Sequence, residues 1–586
     1  MRVLPYGKGL CLIKDVSIEE GANFSLLNGL PGFKKWVDRE IAFRPTGANI
    51  IYINHIWPAA QWLEGAEQHI EEFIKHQQQA EQTQRRKADG VDDDDSYRYK
   101  REPMAHQRKA FMLSRDVPYF GLFMEQGTGK TKVIYDNAAY LYARGEIDAL
   151  CIVAWPNGVH RNWIDTELPQ DLPDWCPYKA VFWSANRSKW KQREIDDVVN
   201  STGALKIFAF NAEAFSSDRA REAILKFVGG NQTLMVIDQS ACIANPQAGR
   251  TKFLAKKVGP LAKYRRILDG APIAQNAGEI YSQFLFLDQK IIGHDTWTAF
   301  RNEYCEIGHF NETKGFRNID KLRALIDNYS FRALERDCLD LPERIYKRWT
   351  FDLTEQERAL YDELRKKDYT EFEGSLLTTS LPMVKNLRLQ QIASGWFPSD
   401  TPRLIEAESS RMAAFRQLMP VLTSKTIIYS RFKQDIFQLE KLLGAAAVSY
   451  HGDISEDDRA EAKERFQNDP DVKWMIGQPT SLGIGHTLTA AEFIVYYTNH
   501  PSLRIREESE KRAHRKGQDK RLKIYDLIAT NTTDNKAMRS LRAKKDVATM
   551  IMDDPVSYFL METPDGDEGA ESVLCPDQAG ASAEVS

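Results

Sequence analysis

One eight-residue stretch restricts the folds open to this chain more than any other: Met124-Glu125-Gln126-Gly127-Thr128-Gly129-Lys130-Thr131. It follows the apolar run YFGLF at 119–123 and precedes a helix-like segment over 132–144. Strand, glycine turn and helix in that order make a phosphate-binding loop. Gly127 and Gly129 let the backbone curl so that successive N–H groups face inward, and the helix N-terminus adds its positive end. Lys130 then reaches terminal phosphates, Thr131 can hold magnesium, and Gln126 and Thr128 complete the cradle. The expected ligand is a nucleoside triphosphate, although a strict pattern has a glycine or a small residue where Met124 stands.

Apolar runs at 149–154, 206–210, 234–237 and 265–268 are separated by helix-length segments, which predicts a doubly wound parallel sheet around the loop. Over 289–410 strand signals thin out and charged helical patterns such as 354–367 dominate. Alternation resumes with runs at 426–429, 446–450, 472–476, 493–497 and 522–527, a second lobe of the same class without its own phosphate loop. Ahead of both lies an α+β module with strand-like runs at 2–4, 10–13 and 50–53 and a helical stretch over 58–75. Expected boundaries are 1–78 for this accessory domain, 79–100 for a charged, solvated linker, 101–288 for the first lobe, 289–410 for helical insertions and the connection, 411–550 for the second lobe, and 551–586 for a segment ending in an acidic, disordered tail.

With 586 residues and a formal net charge of -4, the chain advertises no nucleic-acid partner through net charge, so any basic footprint is local. Its seven cysteines show no CxxC or Cys/His spacing, which argues against a disulfide framework and a zinc site and for a reducing cytoplasm. Neither a secretion signal nor a membrane span is expected, since no apolar run reaches the necessary length.

Two further elements bear on nucleotide chemistry. Leu234-Met235-Val236-Ile237-Asp238 is an apolar strand ending in an acid, and Asp238 is the magnesium candidate. A glutamate normally follows and polarises the attacking water, but here the residue is Gln239. An amide can hydrogen-bond water yet cannot accept its proton, so nucleotide binding should survive while turnover falls by orders of magnitude. Near the end, Arg512 and Arg515 are three apart and would share a face of a helix, aimed at the γ-phosphate.

Taken together, these strings resemble the Swi/Snf-like family of superfamily 2 helicases, ATP-driven translocases on double-stranded DNA built from two RecA-like lobes. PMAHQ (103–107) is similar to the entry motif whose glutamine, here Gln107, reads adenine, and MEQGTGKT to motif I. WPNGVHRNW (155–163) resembles motif Ia, VIDQSACIANP (236–246) motif II, and LDGAPIAQNAGEIYSQFLFLD (268–288) motif III with its extension. SLGIGHTL (481–488) resembles motif V, EKRAHRKGQ (510–518) motif VI, and FRALERDCLDLPERI (331–345) another stretch typical of the family.

The resemblance implies ATP and Mg²⁺ in a cleft, with Lys130, Asp238, Gln239, Arg512 and Arg515 as the catalytic set and Gly485 adding to the nucleotide site. It implies double-stranded or branched DNA against Trp155, Asn162, Trp163, Asn211, Ser430, Arg431, Thr480 and Ser481, with the backbone followed rather than the bases. For Trp163 a place in the core is the competing reading. In the N-terminal module, LPGFKKW (30–36) and Arg44-Pro45 faintly resemble substrate-recognition modules of annealing or fork-remodelling helicases.

Three departures stand out. Family members carry Asp-Glu where this chain has Asp238-Gln239, either a deliberate change that traps an ATP state or a natural one in a degenerate ATPase. Motif III usually reads Thr-Gly-Thr-Pro and here reads Asp269-Gly270-Ala271-Pro272, which questions its hydroxyl-mediated coupling. The glutamine that usually opens motif VI is Glu508. The expectation is an ATP-dependent DNA translocase, with a strand-separating fork helicase and a non-hydrolysing, ATP-gated DNA clamp as rivals.

Overall fold

The computed structural model describes residues 2–6, 10–14, 34–37, 40–43, 45, 47–57, 60–63, 65–88, 96–155, 159–185, 188–273, 278–294, 296–307, 313–338, 341–373, 375–379, 382–398, 403–405, 408–482, 488–515, 517–535, 537–539, 541 and 572–574. The chain divides into two compact units, Met1–Cys338 and Leu339–Ser586.

The first unit begins with a sheet of β1 (Arg2–Pro5), β2 (Cys11–Lys14), β3 (Lys34–Val37), β4 (Glu40–Phe43) and β5 (Gln61–Trp62), in the order β3-β4-β2-β1-β5. The run at 50–53, expected as a strand, belongs to the helix Gly47–Ile56. Its buried Ile50 and Ile53 are one helical turn apart and pack with Val3, Ile13, Ile41 and Phe43, so tertiary packing overrides the strand preference of a β-branched run. Lys34, Lys35 and Trp36 lie on β3, while residues 30–33 and Arg44 of the faint recognition motif fall outside the described residues.

Residues expected as linker turn out to be structured. A single helix, Glu67–Ala88, carries the glutamine run and the basic cluster. Gln79 donates to the Tyr119 carbonyl at 2.9 Å, Gln84 to Asp327 at 2.7 Å, and Lys87 to the carboxylate of the same Asp327 at 2.6 Å, while the Tyr329 hydroxyl donates to the His76 carbonyl at 3.0 Å. Glutamine, lysine and arginine are good helix formers, and their long side chains dock this helix through polar ends that a hydropathy pattern does not register. Farther on, Tyr97 donates to the Asp136 carboxylate at 3.1 Å and the Arg98 carbonyl accepts from Trp175 at 2.8 Å, so residues 97 and 98 are strapped to the first lobe. Asp92 to Asp95 lie outside the described residues.

That lobe is built on β6 (Tyr119–Met124), β7 (Ala149–Ala154), β8 (Tyr178–Phe182), β9 (Leu205–Asn211), β10 (Thr233–Asp238) and β11 (Tyr264–Leu268). After a hairpin of β12 (Cys305–Ile307) and β13 (Thr313–Phe316), β14 (Ser330–Ala333) completes the sheet in the order β14-β6-β11-β10-β7-β9-β8. Every pairing is parallel. All seven carboxyl ends therefore open onto one edge, where a doubly wound fold places its ligands.

The second unit contributes β15 (Arg344–Phe351), the short hairpins β16 (Tyr369–Phe372) with β17 (Ser375–Thr378) and β18 (Trp396–Phe397) with β19 (Arg403–Leu404), then β20 (Thr426–Tyr429), β21 (Ala447–Tyr450), β22 (Trp474–Gly477), β23 (Phe493–Tyr496), β24 (Leu522–Ala529) and β25 (Ser572–Leu574). Its main sheet is again all parallel, in the order β21-β22-β20-β23-β24-β15-β25. Both lobes are thus parallel α/β sheets, as expected, but 289–410 is not purely an insertion. It supplies β14 to one sheet and β15 to the other, strands too mixed in polarity to register as apolar runs. In the tail expected to be disordered, Ser572–Leu574 pairs with β15 at the edge of the sheet.

Arg411 fixes this second core. Its guanidinium is buried, pairs with Asp534, and donates to the carbonyls of Tyr497 at 2.6 Å and Leu527 at 3.0 Å. Replacing Arg411 by alanine leaves the Asp534 carboxylate and two carbonyls short of donors, so the expected loss is about 3–5 kcal/mol of stability. Urea unfolding of the full chain would show it as an early transition of the second unit.

Candidate active site

Between β6 and the helix Lys130–Ala143 the backbone makes the turn that two glycines permit. Gly127 has φ 83° and Gly129 φ 84°, both in the left-handed region. The positive φ favours glycine at 129, and a Cβ there would also lie 2.2 Å from Nε2 of Gln107 and displace that side chain from its place against the loop. Gln107 braces the loop from the neighbouring helix: its Nε2 donates to the Thr128 carbonyl at 3.0 Å and its Oε1 accepts from the Met104 N–H at 3.1 Å. A ring nitrogen of His106 also meets the Thr128 carbonyl, at 2.8 Å. The Thr128 hydroxyl donates to the Glu125 carbonyl at 2.6 Å. Lys130 is buried, and its ammonium donates to the carbonyls of Met124 at 2.7 Å and Glu125 at 3.2 Å. Gln126 and Thr131 are half-buried at the same turn.

Strand register brings the second element alongside. Leu268 pairs with Leu122 on one side and with Asp238 on the other, and Asp238 pairs in turn with Ala154. Asp238 is buried, and burial pushes its carboxyl above the usual range while the charge of Lys130 draws it back down. Its Oδ2 accepts from the indole N–H of Trp163 at 2.9 Å and its Oδ1 from the Gln239 N–H at 3.0 Å. Gln239 itself is left-handed, with φ 56°. A side chain in that region is strained, and such positions concentrate at functional sites.

The altered motif III finds a structural use. Asp269 is buried, and its carboxylate accepts from the Ala241 N–H and from the Ala271 N–H, both at 2.9 Å. It thereby ties the turn after Asp238 to the loop after β11, in place of the hydroxyl expected there. A second tie runs through Gln283, which accepts from Ser240 and donates to the Pro272 carbonyl at 2.7 Å. Gly270 rests against the phosphate loop, where an added Cβ would lie 3.4 Å from the Gln126 nitrogen. Asp269 is marked in the sequence only as an acid where a threonine is usual, and Gln283 carries no local signal of its role.

Two residues expected against DNA are elsewhere. Trp163 is buried, packs edge-on to Tyr135 and spends its N–H on Asp238, so the core reading holds for it. Ser430 is buried as well, its hydroxyl engaged with Asp435 at 2.7 Å and Thr498 at 2.8 Å. Asn162 and Thr480 are exposed, and Trp155, Asn211, Arg431 and Ser481 are half-buried. Gly485 lies outside the described residues.

In the second unit the helix Leu503–Glu510 ends before the two arginines, which sit in the turns that follow. A helical face therefore does not relate Arg512 to Arg515. Instead Arg506 and Glu510 hold the segment: Arg506 pairs with Asp526 at 2.6 Å and with Glu510 at 2.7 Å, and Tyr346 donates to Glu510 at 2.7 Å. Gln518 clamps the far end through the Ala491 carbonyl at 2.8 Å. Arg512 is buried, and burial lowers its pKa to about 10, opposed by Glu508 and reinforced by Arg515.

Comparison with known families agrees in both units. The SNF2-related domain matches residues 122–394 and the helicase conserved C-terminal domain matches 411–517, more than half the chain between them. The chain belongs to the Swi/Snf-like family of superfamily 2 helicases. Among this family's members, it is similar to the DNA annealing helicase and endonuclease ZRANB3 of Mus musculus, at 24% identity over 77% of this chain and 41% of that protein. It is also similar to the putative ATP-dependent helicase/translocase YwqA of Bacillus subtilis, at 22% identity over 54% of this chain and 35% of that protein. The chain thus spans about two-fifths or less of these curated relatives. A solved Sulfolobus solfataricus SWI2/SNF2 ATPase core in complex with dsDNA is 20% identical over 78% of this chain and 95% of its own, with a TM-score of 0.36.

Replacing Trp163 by phenylalanine keeps the packing and removes one donor from the buried Asp238 carboxylate. The carboxyl pKa should rise further, with stability lower by about 1.5–3 kcal/mol at neutral pH. Because protonation relieves an ion that burial disfavours, the deficit should shrink as the pH falls through that raised pKa. Chemical unfolding at neutral and mildly acidic pH measures both.

Proposed function

We propose that the chain is an ATP-dependent translocase on double-stranded or branched DNA, with hydrolysis impaired at Gln239. The observation that carries this reading is the adjacency at the sheet edge of a glycine cradle, a buried lysine and a buried acid, with Lys130 the largest charge acting on Asp238. In this reading the loop N–H groups from Gln126 to Thr131 cradle the phosphates and Lys130 exchanges its two carbonyl partners for phosphate oxygens. Thr131 and Asp238 would hold magnesium, which fits a carboxyl that burial disfavours as an anion and a neighbouring cation would restore. When bound, the ion supplies charge neutralisation between the terminal phosphates. Arg512 and Arg515 would act on the γ-phosphate from the second unit, and Gln107 would face adenine while bracing the loop.

The DNA track is proposed for Trp155, Asn162, Asn211, Arg431, Thr480 and Ser481, which keep some exposure. Family membership and the DNA-directed names of the relatives support it. Gln239 favours a second reading, the ATP-gated clamp, since the residue orients water without taking its proton.

Gln239→Glu separates the two. For a translocase, DNA-stimulated phosphate release should rise by about 10²–10⁴-fold on restoring the base; for a clamp it should stay at background with linear duplex, fork and single strand alike. Lys130→Ala should abolish nucleotide binding in either case, measured by equilibrium titration with labelled ATP.

A further inference from the structure

We infer that Trp190, with Lys189, Arg193 and Arg161, forms a contact for unpaired bases at the edge of the DNA track, so that the chain distinguishes a fork from a continuous duplex. This rests on the DNA reading above and adds a specificity residue to it.

The strand order places the patch. Along the carboxyl edge of the first sheet, the phosphate loop, the Asp269 loop, Asp238, Trp155 and Asn211 follow β6, β11, β10, β7 and β9 in turn. The last position belongs to β8, whose Phe182 pairs with Ala209 at the edge of the sheet. Chain leaving β8 enters the helix Lys189–Val199, which begins on this same edge. Motif Ia and this helix meet there: the guanidinium of Arg161 lies 5.3 Å from the centre of the Phe182 ring and the ammonium of Lys191 lies 3.8 Å from it. The first turn of the helix thus continues the row of positions proposed to face DNA.

Its surface chemistry is unusual for a globular exterior. Trp190 is 70% exposed, the highest value among the exposed large hydrophobic side chains described, whereas tryptophan is highly buried on average. Lys189 and Arg193 are also exposed, one helical turn apart, and flank it. Their neighbour Lys191 turns inward to Glu194 at 2.9 Å, while Asp196 and Asp197 farther along accept from Gln192 at 2.9 Å and engage Lys179 at 2.8 Å, so the exposed charges beside Trp190 at the start of the helix are those of Lys189 and Arg193. A cationic face suits a phosphate backbone, and an indole among cations adds a flat apolar surface that a phosphate cannot use.

That combination selects the form of DNA. In a continuous duplex base faces are stacked on one another and only phosphates and groove edges are presented, so Lys189, Arg193 and Arg161 would be engaged and Trp190 idle. Where strands part, an unpaired base offers its face and Trp190 can stack on it, independent of sequence. A protein partner is the competing occupant.

The test compares the unaltered chain with Trp190→Ala, Trp190→Phe and the double variant Lys189→Ala/Arg193→Ala. Fluorescence anisotropy at fixed salt reads binding to a blunt duplex, a fork with unpaired arms and a single strand. Trp190→Ala should weaken fork and single-strand binding by about tenfold and leave duplex binding within about twofold, and Trp190→Phe should restore most of the loss. The double variant should weaken all three and flatten their salt dependence. Equal binding of the fork by the unaltered chain and Trp190→Ala, while the unaltered chain still binds DNA, overturns the inference and leaves a protein-docking role for the patch. Equal losses on fork and duplex overturn it too, since stacking would then not be the interaction. If the unaltered chain binds none of the three DNAs, the DNA reading itself fails.

Discussion

The constraint on which the first unit turns is the burial of one carboxylate at the end of a parallel strand. An isolated ion there would be expensive, so the surroundings must supply donors or opposite charge. Three do so without any ligand: the indole of Trp163, the N–H of Gln239 and the charge of Lys130. Each comes from a different segment, and together they fix motif Ia, the turn after β10 and the phosphate loop relative to one another. Asp269 and Gln283 extend the same logic one strand further, with polar groups bridging loops whose strands are already adjacent. The site is therefore preorganised by the need to satisfy buried polar atoms, and its shape follows from the strand order β6-β11-β10.

In the second unit an arginine cluster plays the corresponding part. Arg506 stacks 3.5 Å from the Tyr496 ring centre and is paired with Asp526 and Glu510, so the helix that precedes Arg512 is anchored through its own inward face. Arg506 of the preceding helix, with Glu510 and Gln518 of the motif, holds the segment in which Arg512 and Arg515 stand. Arg512 carries the signature of such a position, a guanidinium whose burial lowers its pKa to about 10 against the pull of Glu508.

What the sequence made legible was carried by patterns with short range. The glycine turn, the apolar strands and the acid at the end of β10 depend on neighbours within a few residues, and they stand where spacing put them. Residues whose role depends on a distant partner did not read out. Trp163 and Ser430 are both expected against DNA from the resemblance, yet their partners Asp238 and Asp435 decide that they face inward. The helix Glu67–Ala88 was hidden because glutamine and lysine make its contacts with polar tips, and β14 and β15 because arginine and lysine interrupt their apolar residues.

At Gln239 the fold places the same demands on an amide as on a carboxylate. Its left-handed backbone costs the same for an amide as for a carboxylate, and its bond to Asp238 comes from the main chain, so neither distinguishes the two side chains. What differs is charge. A glutamate would add a third acid to a turn that already holds Asp238 and Asp269, and like charges at short range raise one another's pKa and work against the fold. The amide removes that repulsion. On the reading proposed for Gln239, function and stability pull in opposite directions at this one position: a carboxylate would supply the base, and the amide spares the fold a repulsion.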